Sequence, residues 1–373
     1  MLVNNIHLEC FRNYKKLDLS LEAMLVILVG ENAQGKTNLL ESIYYLSRGS
    51  AHRSNRDKDL INWNESYFKI LAHVSREDYD YRLGFTYDEK GKKLTVNGVK
   101  RSRIGEASDY FNTVIFAPED LKILKGSPSE RRNYLDSLIS QLNPQYNYYL
   151  TQYNKVLYQR NNLLKKLIYK RESVDTLVIW DSQLSFYGSR ILVKRFDYLN
   201  RLMKNAQVMH SSITNSRETL DIKYNSSLTY DISWDVNKIQ QGFEERLVGE
   251  RNNEIKRGTT LVGPHRDDFT VTVNQREVKV YGSQGQQRTC VLSLKLAELE
   301  MIYEEKDSYP LLLLDDVMSE LDESRRNFLL KLTKGKVQTI ITTTDLNALP
   351  QSSLKEALIY IIKSGSAKQL NFS

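Results

Sequence analysis

The chain has 373 residues, enough for two or three structural units around a sizeable core, with 40% hydrophobic and 27% charged residues in ordinary globular proportion. No apolar run approaches the roughly 18 residues of a spanning helix, and the opening MLVNNIHLECFRNYKK lacks the apolar core and cleavage site of a signal peptide. Membrane and secretory classes are thereby excluded and a soluble, cytoplasmic protein is expected; the net charge of +7 favours polyanionic partners without requiring them.

Three strand signals open the chain, Leu2 to Leu8, Lys16 to Leu21 and Met24 to Val29, and a helix follows from Lys36 to Leu46. Between the third strand and that helix lies Gly30-Glu31-Asn32-Ala33-Gln34-Gly35-Lys36-Thr37, the pattern G-x-x-x-x-G-K-T in the strand-loop-helix context it requires. From Tyr67 to about Lys100 the pattern becomes short alternating runs separated by Asp88-Glu89-Lys90-Gly91 and Asn97-Gly98, which predicts antiparallel hairpins. Phe111 to Phe116 reads as a further strand, closed by Pro118.

After Pro128 the period turns helical as far as about Asn215, with breaks near Asn143-Pro144 and around Glu172 to Thr176. The two segments, Glu130 to Lys170 and Leu177 to Ser212, predict an antiparallel helical arm. No acidic residue occurs from Ser137 to Arg171, whereas Lys155, Arg160, Lys165, Lys166, Lys170 and Arg171 are basic; Arg190, Lys194, Arg195, Arg201 and Lys204 follow in the second segment against Asp197 alone. Such stretches fit either a solvated helix face or a surface that tracks nucleic-acid phosphates, and the first six cations are the candidate DNA contacts. The tyrosines of the arm read as packing residues.

Strand signals return at Leu220 to Tyr224 and Thr270 to Val273, and Gly282-Ser283 starts a long helix to about Glu305. Pro310-Leu311-Leu312-Leu313-Leu314-Asp315-Asp316 is an apolar strand ending on two carboxylates. A helix at Glu323 to Leu332 and strands at Val337 to Thr342 and Ala357 to Ile362 complete an α/β layering with a largely parallel sheet. Cys10 and Cys290 are the only cysteines and form no C-x-x-C pair, while the five histidines have no ligand spacing, so neither zinc nor a disulfide framework is expected.

Three motifs carry the chemistry. In GENAQGKT the glycines let backbone N–H groups converge on phosphates at a helix N-terminus, with Lys36 reaching the β and γ phosphates and the Thr37 hydroxyl binding Mg2+. In LLLLDD, Asp315 would hold the metal and Asp316 would orient or deprotonate the attacking water. In Gly282-Ser283-Gln284-Gly285-Gln286-Gln287-Arg288, 32 positions separate Ser283 from Asp315, and Ser283 is a good N-cap beside a glycine that leaves N–H groups open to an anion.

That ordered set resembles the ABC-type ATPases, whose signature is usually written LSGGQ, and within their SMC-like branch it is similar to the RecF family of bacterial DNA repair proteins. The likeness rests on FRNY at 11–14, GENAQGKTN at 30–38, FAPEDL at 116–121, GPHRDD at 263–268, YGSQGQQRT at 281–289 and LLLLDDVMSELD at 311–322. It implies an α/β ABC-type P-loop ATPase head of mixed and antiparallel sheets, formed by residues 1–128 and 219–373, with a short helical arm domain at 129–218. It further implies ATP and Mg2+ as cofactors and an ATP-dependent head-to-tail homodimer. Ser283, Gly285 and Gln286 would then touch the γ phosphate across the interface, Ser319 to Asp322 would form the D-loop, and Arg12, Asn13 and Asn38 would stand at the nucleotide. The implied function is recombinational repair and replication restart: a clamp on duplex DNA beside single-stranded gaps, acting with RecO and RecR to help load RecA.

The chain departs from the general ABC pattern in two places. Asp316 replaces the usual glutamate and is one methylene shorter, which suits slow hydrolysis and a switch more than a motor. Thr344 stands where a histidine is usual, and His265 and Arg266 of GPHRDD have no mechanism from sequence alone. The competing function is the nucleotide-binding subunit of an ABC transporter, but the 279 positions from Lys36 to Asp315 exceed what such a compact subunit uses.

Overall fold

The computed structural model describes residues 1–54, 56–76, 79–169, 173–228 and 235–370. In chain order the elements are β1 (Leu2–Phe11), β2 (Tyr14–Ser20), β3 (Leu25–Val29), α1 (Lys36–Arg48), β4 (Phe68–Arg76), β5 (Tyr79–Asp88), β6 (Gly91–Val96), β7 (Val99–Lys100), α2 (Ala107–Tyr110) and β8 (Thr113–Phe116). Next come α3 (Lys122–Lys125), α4 (Pro128–Leu142), α5 (Pro144–Ile168), α6 (Leu177–Thr214), β9 (Leu220–Asn225), α7 (Val236–Arg257), β10 (Asp268–Val273), β11 (Arg276–Glu277), α8 (Val278–Tyr281) and α9 (Gln284–Lys306). The chain finishes with β12 (Leu311–Asp315), α10 (Glu323–Thr333), β13 (Thr339–Thr343), α11 (Gln351–Glu356), β14 (Leu358–Lys363) and β15 (Ser366–Leu370). Helix α7 and strand β15 have no counterpart in the sequence expectations, nor do the short elements α2, α3, β11, α8 and α11. These elements form two compact units, one of residues 1–120 and 292–373, the other of residues 121–291.

The first unit contains two six-stranded sheets. One is antiparallel, in the order β2-β1-β4-β5-β6-β7; the other, β15-β14-β3-β13-β12-β8, is parallel apart from the β14–β15 hairpin at its edge. The hairpin expected at Asn97-Gly98 is there, and both residues have positive φ, 52° and 80°, as a two-residue turn between right-twisting strands demands. Helix α1 is buried nearly all round, because Leu39, Leu40, Ile43, Tyr45 and Leu46 share one core with Leu8, Phe68 and Phe85 of the antiparallel sheet and Val26, Leu313 and Ile340 of the parallel one. The helix that starts at the glycine-rich loop is therefore held on two sides.

Gln338 joins the two sheets through polar contacts. Its Oε1 accepts the Val3 N–H at 2.7 Å, and its Nε2 donates to the carbonyls of Val3, Leu21 and Ala23 at 3.1, 2.8 and 3.0 Å. The side chain is 1% exposed, so water cannot replace these partners.

The second unit packs α4 to α7 with the small antiparallel sheet β11-β10-β9. Its interior contains guanidinium groups. Arg160 of α5 is 0% exposed; it donates to Asp181 of α6 at 2.8 Å, Glu254 of α7 at 2.6 Å and the Thr260 hydroxyl at 2.8 Å, while Arg251 binds the other Asp181 oxygen at 2.9 Å. Two cations and two carboxylates balance, as burial requires. Arg195 of α6 likewise donates to Asp136 of α4 at 2.9 and 3.0 Å and to the Pro264 carbonyl at 2.5 Å. These networks hold the helices in register by hydrogen-bond direction, which apolar packing alone does not supply.

Replacing Gln338 with leucine removes the side-chain partner of one buried N–H and three carbonyls, of which Leu21 keeps the Ala23 N–H, and we expect a loss of about 2–4 kcal/mol in denaturant unfolding. An unchanged midpoint would show that the two sheets are held by their apolar core alone.

Candidate functional site

The loop 30–36 leaves the C-terminal end of β3 and turns into α1. Its backbone conformation explains the glycines. Gly35 has φ 116°, and a Cβ there would lie 2.6 Å from the Asn13 amide, while a Cβ on Gly30 would lie 2.4 Å from the Ile362 carbonyl. Lys36 Nζ curls over its own loop and donates to the carbonyls of Gly30 and Glu31 at 2.7 and 2.8 Å. Burial lowers the Lys36 pKa from its ordinary value, against the opposing pull of Asp316 and Asp315.

Parallel pairing brings the distant carboxylates to this loop. Strand β13 lies between β3 and β12, with Thr342 beside both Leu28 and Asp315 in register. Asp315 is 2% exposed, and its Oδ1 accepts from the Thr37 and Thr342 hydroxyls, each at 2.8 Å. The Thr342 hydroxyl also accepts the Asp316 N–H at 2.9 Å, which leaves Asp316 in the left-handed region at φ 55°. Burial raises the Asp316 pKa, with Lys36 opposing and Asp315 adding to the rise. Asn32, Ala33, Gly35, Lys36, Thr37, Asn38, Asp315, Asp316 and Thr342 line a cleft of about 290 Å3.

Two other wall residues were not among the expected site residues. Arg53 donates to Glu119 at 2.9 Å and approaches Asp315 to 4.0 Å, and Pro118 closes the same side. Both belong to the surroundings of FAPEDL, whose Asp120 folds back to accept the Ala117 N–H at 2.8 Å. Thr37 and Asp315 offer two hard oxygen donors at hydrogen-bond distance, a set that suits one divalent ion whose remaining ligands are water and phosphate. Among the described residues no group of three His, Cys, Asp or Glu side chains could hold a metal ion.

Asn13 donates to the Gln34 carbonyl at 3.0 Å and accepts from Asn38 at 2.8 Å, while Arg12 pairs with Glu41 of α1 at 2.9 Å. The expected FRNY residues therefore support the loop and its helix. Ser283, Gly285 and Gln286 lie in the second compact unit and do not line the cleft. Ser283 caps α9: its hydroxyl accepts the Gln286 N–H at 3.2 Å and its own N–H reaches the Gln286 side chain at 3.0 Å, a reciprocal capping box. Thr344 is exposed just past β13, whereas Thr342, within the strand, supplies the hydroxyl that reaches Asp315.

The candidate DNA cations divide. Lys155, Lys165 and Lys166 are on the exposed side of α5, and Lys170 and Arg171 lie outside the described residues. Arg160 must be withdrawn, because its guanidinium is enclosed by Asp181, Glu254 and Thr260 and has no face to offer a phosphate. The GPHRDD segment also proves structural in these contacts. Asp268 takes a two-point ion pair from Arg131, and Asp267 accepts from the Tyr224 and Ser227 hydroxyls. His265 has Nδ1 2.7 Å from the Tyr153 hydroxyl and Nε2 3.3 Å from the Thr260 carbonyl, so the neutral ring donates through Nε2 and accepts at Nδ1.

Comparison with known proteins places this architecture. The sequence model of the RecF/RecN/SMC N terminal domain matches residues 2–367. The DNA replication and repair protein RecF of Bacillus cytotoxicus is 44% identical over 366 residues, 98% of each chain, and that of Bacillus thuringiensis is 44% identical over 367 residues with the same coverage. A solved structure described as the recombination mediator protein RecF-ATP in the RecFOR pathway superimposes with a TM-score of 0.91 at 39% identity, covering 99% of this chain and 97% of the other. The Smc head domain of Pyrococcus furiosus, at 15% identity and a TM-score of 0.54, shares the fold. The ABC-type ATPase head expected from the motifs is thus the observed fold.

Burial pushes the His265 pKa down to about 4, aided by the nearby cations of Arg266, Arg132 and Arg195. Because the folded value lies below the unfolded one near 6.5, stability should be full above that value and fall by about 3 kcal/mol as the pH drops to about 4. His265→Gln should flatten urea midpoints measured across this window; an unaltered pH profile would mean the imidazole is not held neutral.

Proposed function

The chain belongs to the RecF family of DNA replication and repair proteins, and on that premise we propose that it is an ATP-switched DNA-binding protein of recombinational repair. The observation that carries the reading is the Thr37–Asp315 hydrogen bond, which unites the phosphate loop with the carboxylate strand. Residues 30–37 would enclose the phosphates through backbone N–H groups, with Lys36 exchanging its two loop carbonyls for phosphate oxygens. Thr37 and Asp315 would hold Mg2+, which when bound neutralises phosphate charge. Asp316, with its raised pKa, is the group to position and accept a proton from attacking water.

Ser283, Gly285 and Gln286 would complete the site from a second copy of the chain. An ATP-dependent homodimer related by a two-fold axis satisfies both sites at once. The related solved structures are of RecF as a recombination mediator protein in the RecFOR pathway, which supports RecO and RecR as partners; assistance to RecA would be the outcome. The helical arm of residues 129–218 would present Lys155, Lys165 and Lys166 to duplex DNA beside a gap, with slow hydrolysis releasing the clamp. The RecF relatives match over 98% of their own length, which does not favour the transporter alternative.

Lys36→Ala should abolish tight ATP binding, while Asp316→Asn should bind ATP, hydrolyse it more slowly and accumulate as a dimer in light scattering. Undiminished affinity in the first variant, or an ATP-independent monomer in the second, contradicts the switch. Changing Lys155, Lys165 and Lys166 to glutamate should weaken duplex binding and flatten its salt dependence, each phosphate contact accounting for a slope of about 0.9. Equal salt slopes would move the DNA surface away from α5.

A further inference from the structure

Two β-turns, one from each large sheet of the first unit, converge on the residue before Gly35. The turn between β1 and β2 supplies Asn13, whose Nδ2 donates to the Gln34 carbonyl at 3.0 Å. From the turn between β14 and β15, the Gly365 N–H donates to the same carbonyl at 3.2 Å. The Ser364 N–H of that second turn donates to Gln34 Oε1 at 2.8 Å. Both Ser364 and Gly365 have positive φ, 48° and 72°, and a Cβ on Gly365 would stand 2.5 Å from the Asn13 carbonyl. The two turns thus touch each other as well as the loop.

Fixing the Gln34 carbonyl fixes more than one atom. The peptide between Gln34 and Gly35 is trans, so its N–H points opposite to its C=O. With the carbonyl drawn toward the two turns, the Gly35 N–H is aimed at the opposite side, where Gly35 forms part of the cleft wall. The next carbonyl, that of Gly35, is held in turn by the Tyr14 hydroxyl at 3.0 Å. Donors set in advance of the anion cost no reorganisation when it arrives.

We propose that the Ser364-Gly365 turn is a positioning element for nucleotide binding: acting through Gln34, it holds the Gly35 N–H in the orientation that receives a phosphate oxygen. The proposal rests on the ATP-binding reading above and adds a part of the chain that no P-loop motif contains. It also explains why a glycine is needed at 365, far from any phosphate motif. An L side chain there must displace the Asn13 backbone or shift the Gly365 N–H away from the Gln34 carbonyl.

The test measures ATP affinity by calorimetry for the full-length wild type, Gly365→Ala, Gln34→Leu and the double variant, with Lys36→Ala as the reference. Each single variant should bind ATP about tenfold more weakly while the nucleotide-free melting temperature stays within a few degrees of wild type. The double variant should be no weaker than the worse single one, because both loosen the same turn from residue 34. In 15N-labelled protein the Gly35 amide resonance should shift downfield with ATP in the wild type and much less in Gly365→Ala. Additive losses, or a Gly365→Ala protein with wild-type affinity beside a crippled Lys36→Ala, would overturn the proposal and leave the ATP-binding reading intact. Wild-type affinity in Lys36→Ala would instead remove that reading and the proposal with it. Should Gly365→Ala fail to fold, Gln34→Leu alone decides: unchanged affinity and an unchanged Gly35 shift refute the role.

Discussion

Asp315 is a carboxylate taken almost wholly out of water, and such a charge persists only where donors surround it. Its donors are Thr37, at the start of α1, and Thr342, at the end of β13. The strand order follows from the same demand: β13 must lie between β3 and β12, and all three must end at one level, for both hydroxyls to reach one oxygen. The apolar residues of β12 and β13 allow this, since a strand covered on both faces needs no alternation. Every other wall of the cleft is arranged around that fixed point.

The second unit uses buried charge differently. Arg160 and Arg195 each tie together helices that are far apart in sequence, and the loop after α7 is drawn in by the same groups through Thr260 and Pro264. Apolar helix faces tolerate sliding and rotation. Guanidinium groups with several directed partners do not, so a long helical pair built on them keeps one register. That rigidity suits the proposed role of the arm in presenting cations to phosphates.

Much of this was legible in the sequence. The glycine loop, the two aspartates and the serine cap were read with their elements, because each has a local requirement that the residues themselves declare. What escaped was whatever depends on partners distant in the chain. Arg160 stands in an acid-free run and reads as a surface cation, yet its counter-ions come from Asp181 and Glu254, outside the run. Helix α7 buries only Ile239, Phe243, Leu247 and Glu254, three apolar residues four apart that carry a helical period in an otherwise polar stretch. Arg53 and the Ser364-Gly365 turn belong to no motif, since their importance comes from where other strands place them. Thr342 was read only as the end of a strand, although its hydroxyl binds both Asp315 and the Asp316 N–H.

The position of β3 has a consequence for how the molecule is made. Leu25 pairs with Thr339 and Val26 with Leu358, so both neighbours of this early strand are translated near the end of the chain. At ribosomal speeds of about 5–20 residues per second, β3 and the loop it carries wait on the order of tens of seconds for a sheet to join. During that interval a run as apolar as Leu25–Val29 is an open edge, and the antiparallel sheet that brackets it in sequence, complete once residue 100 has emerged, is available to shelter it.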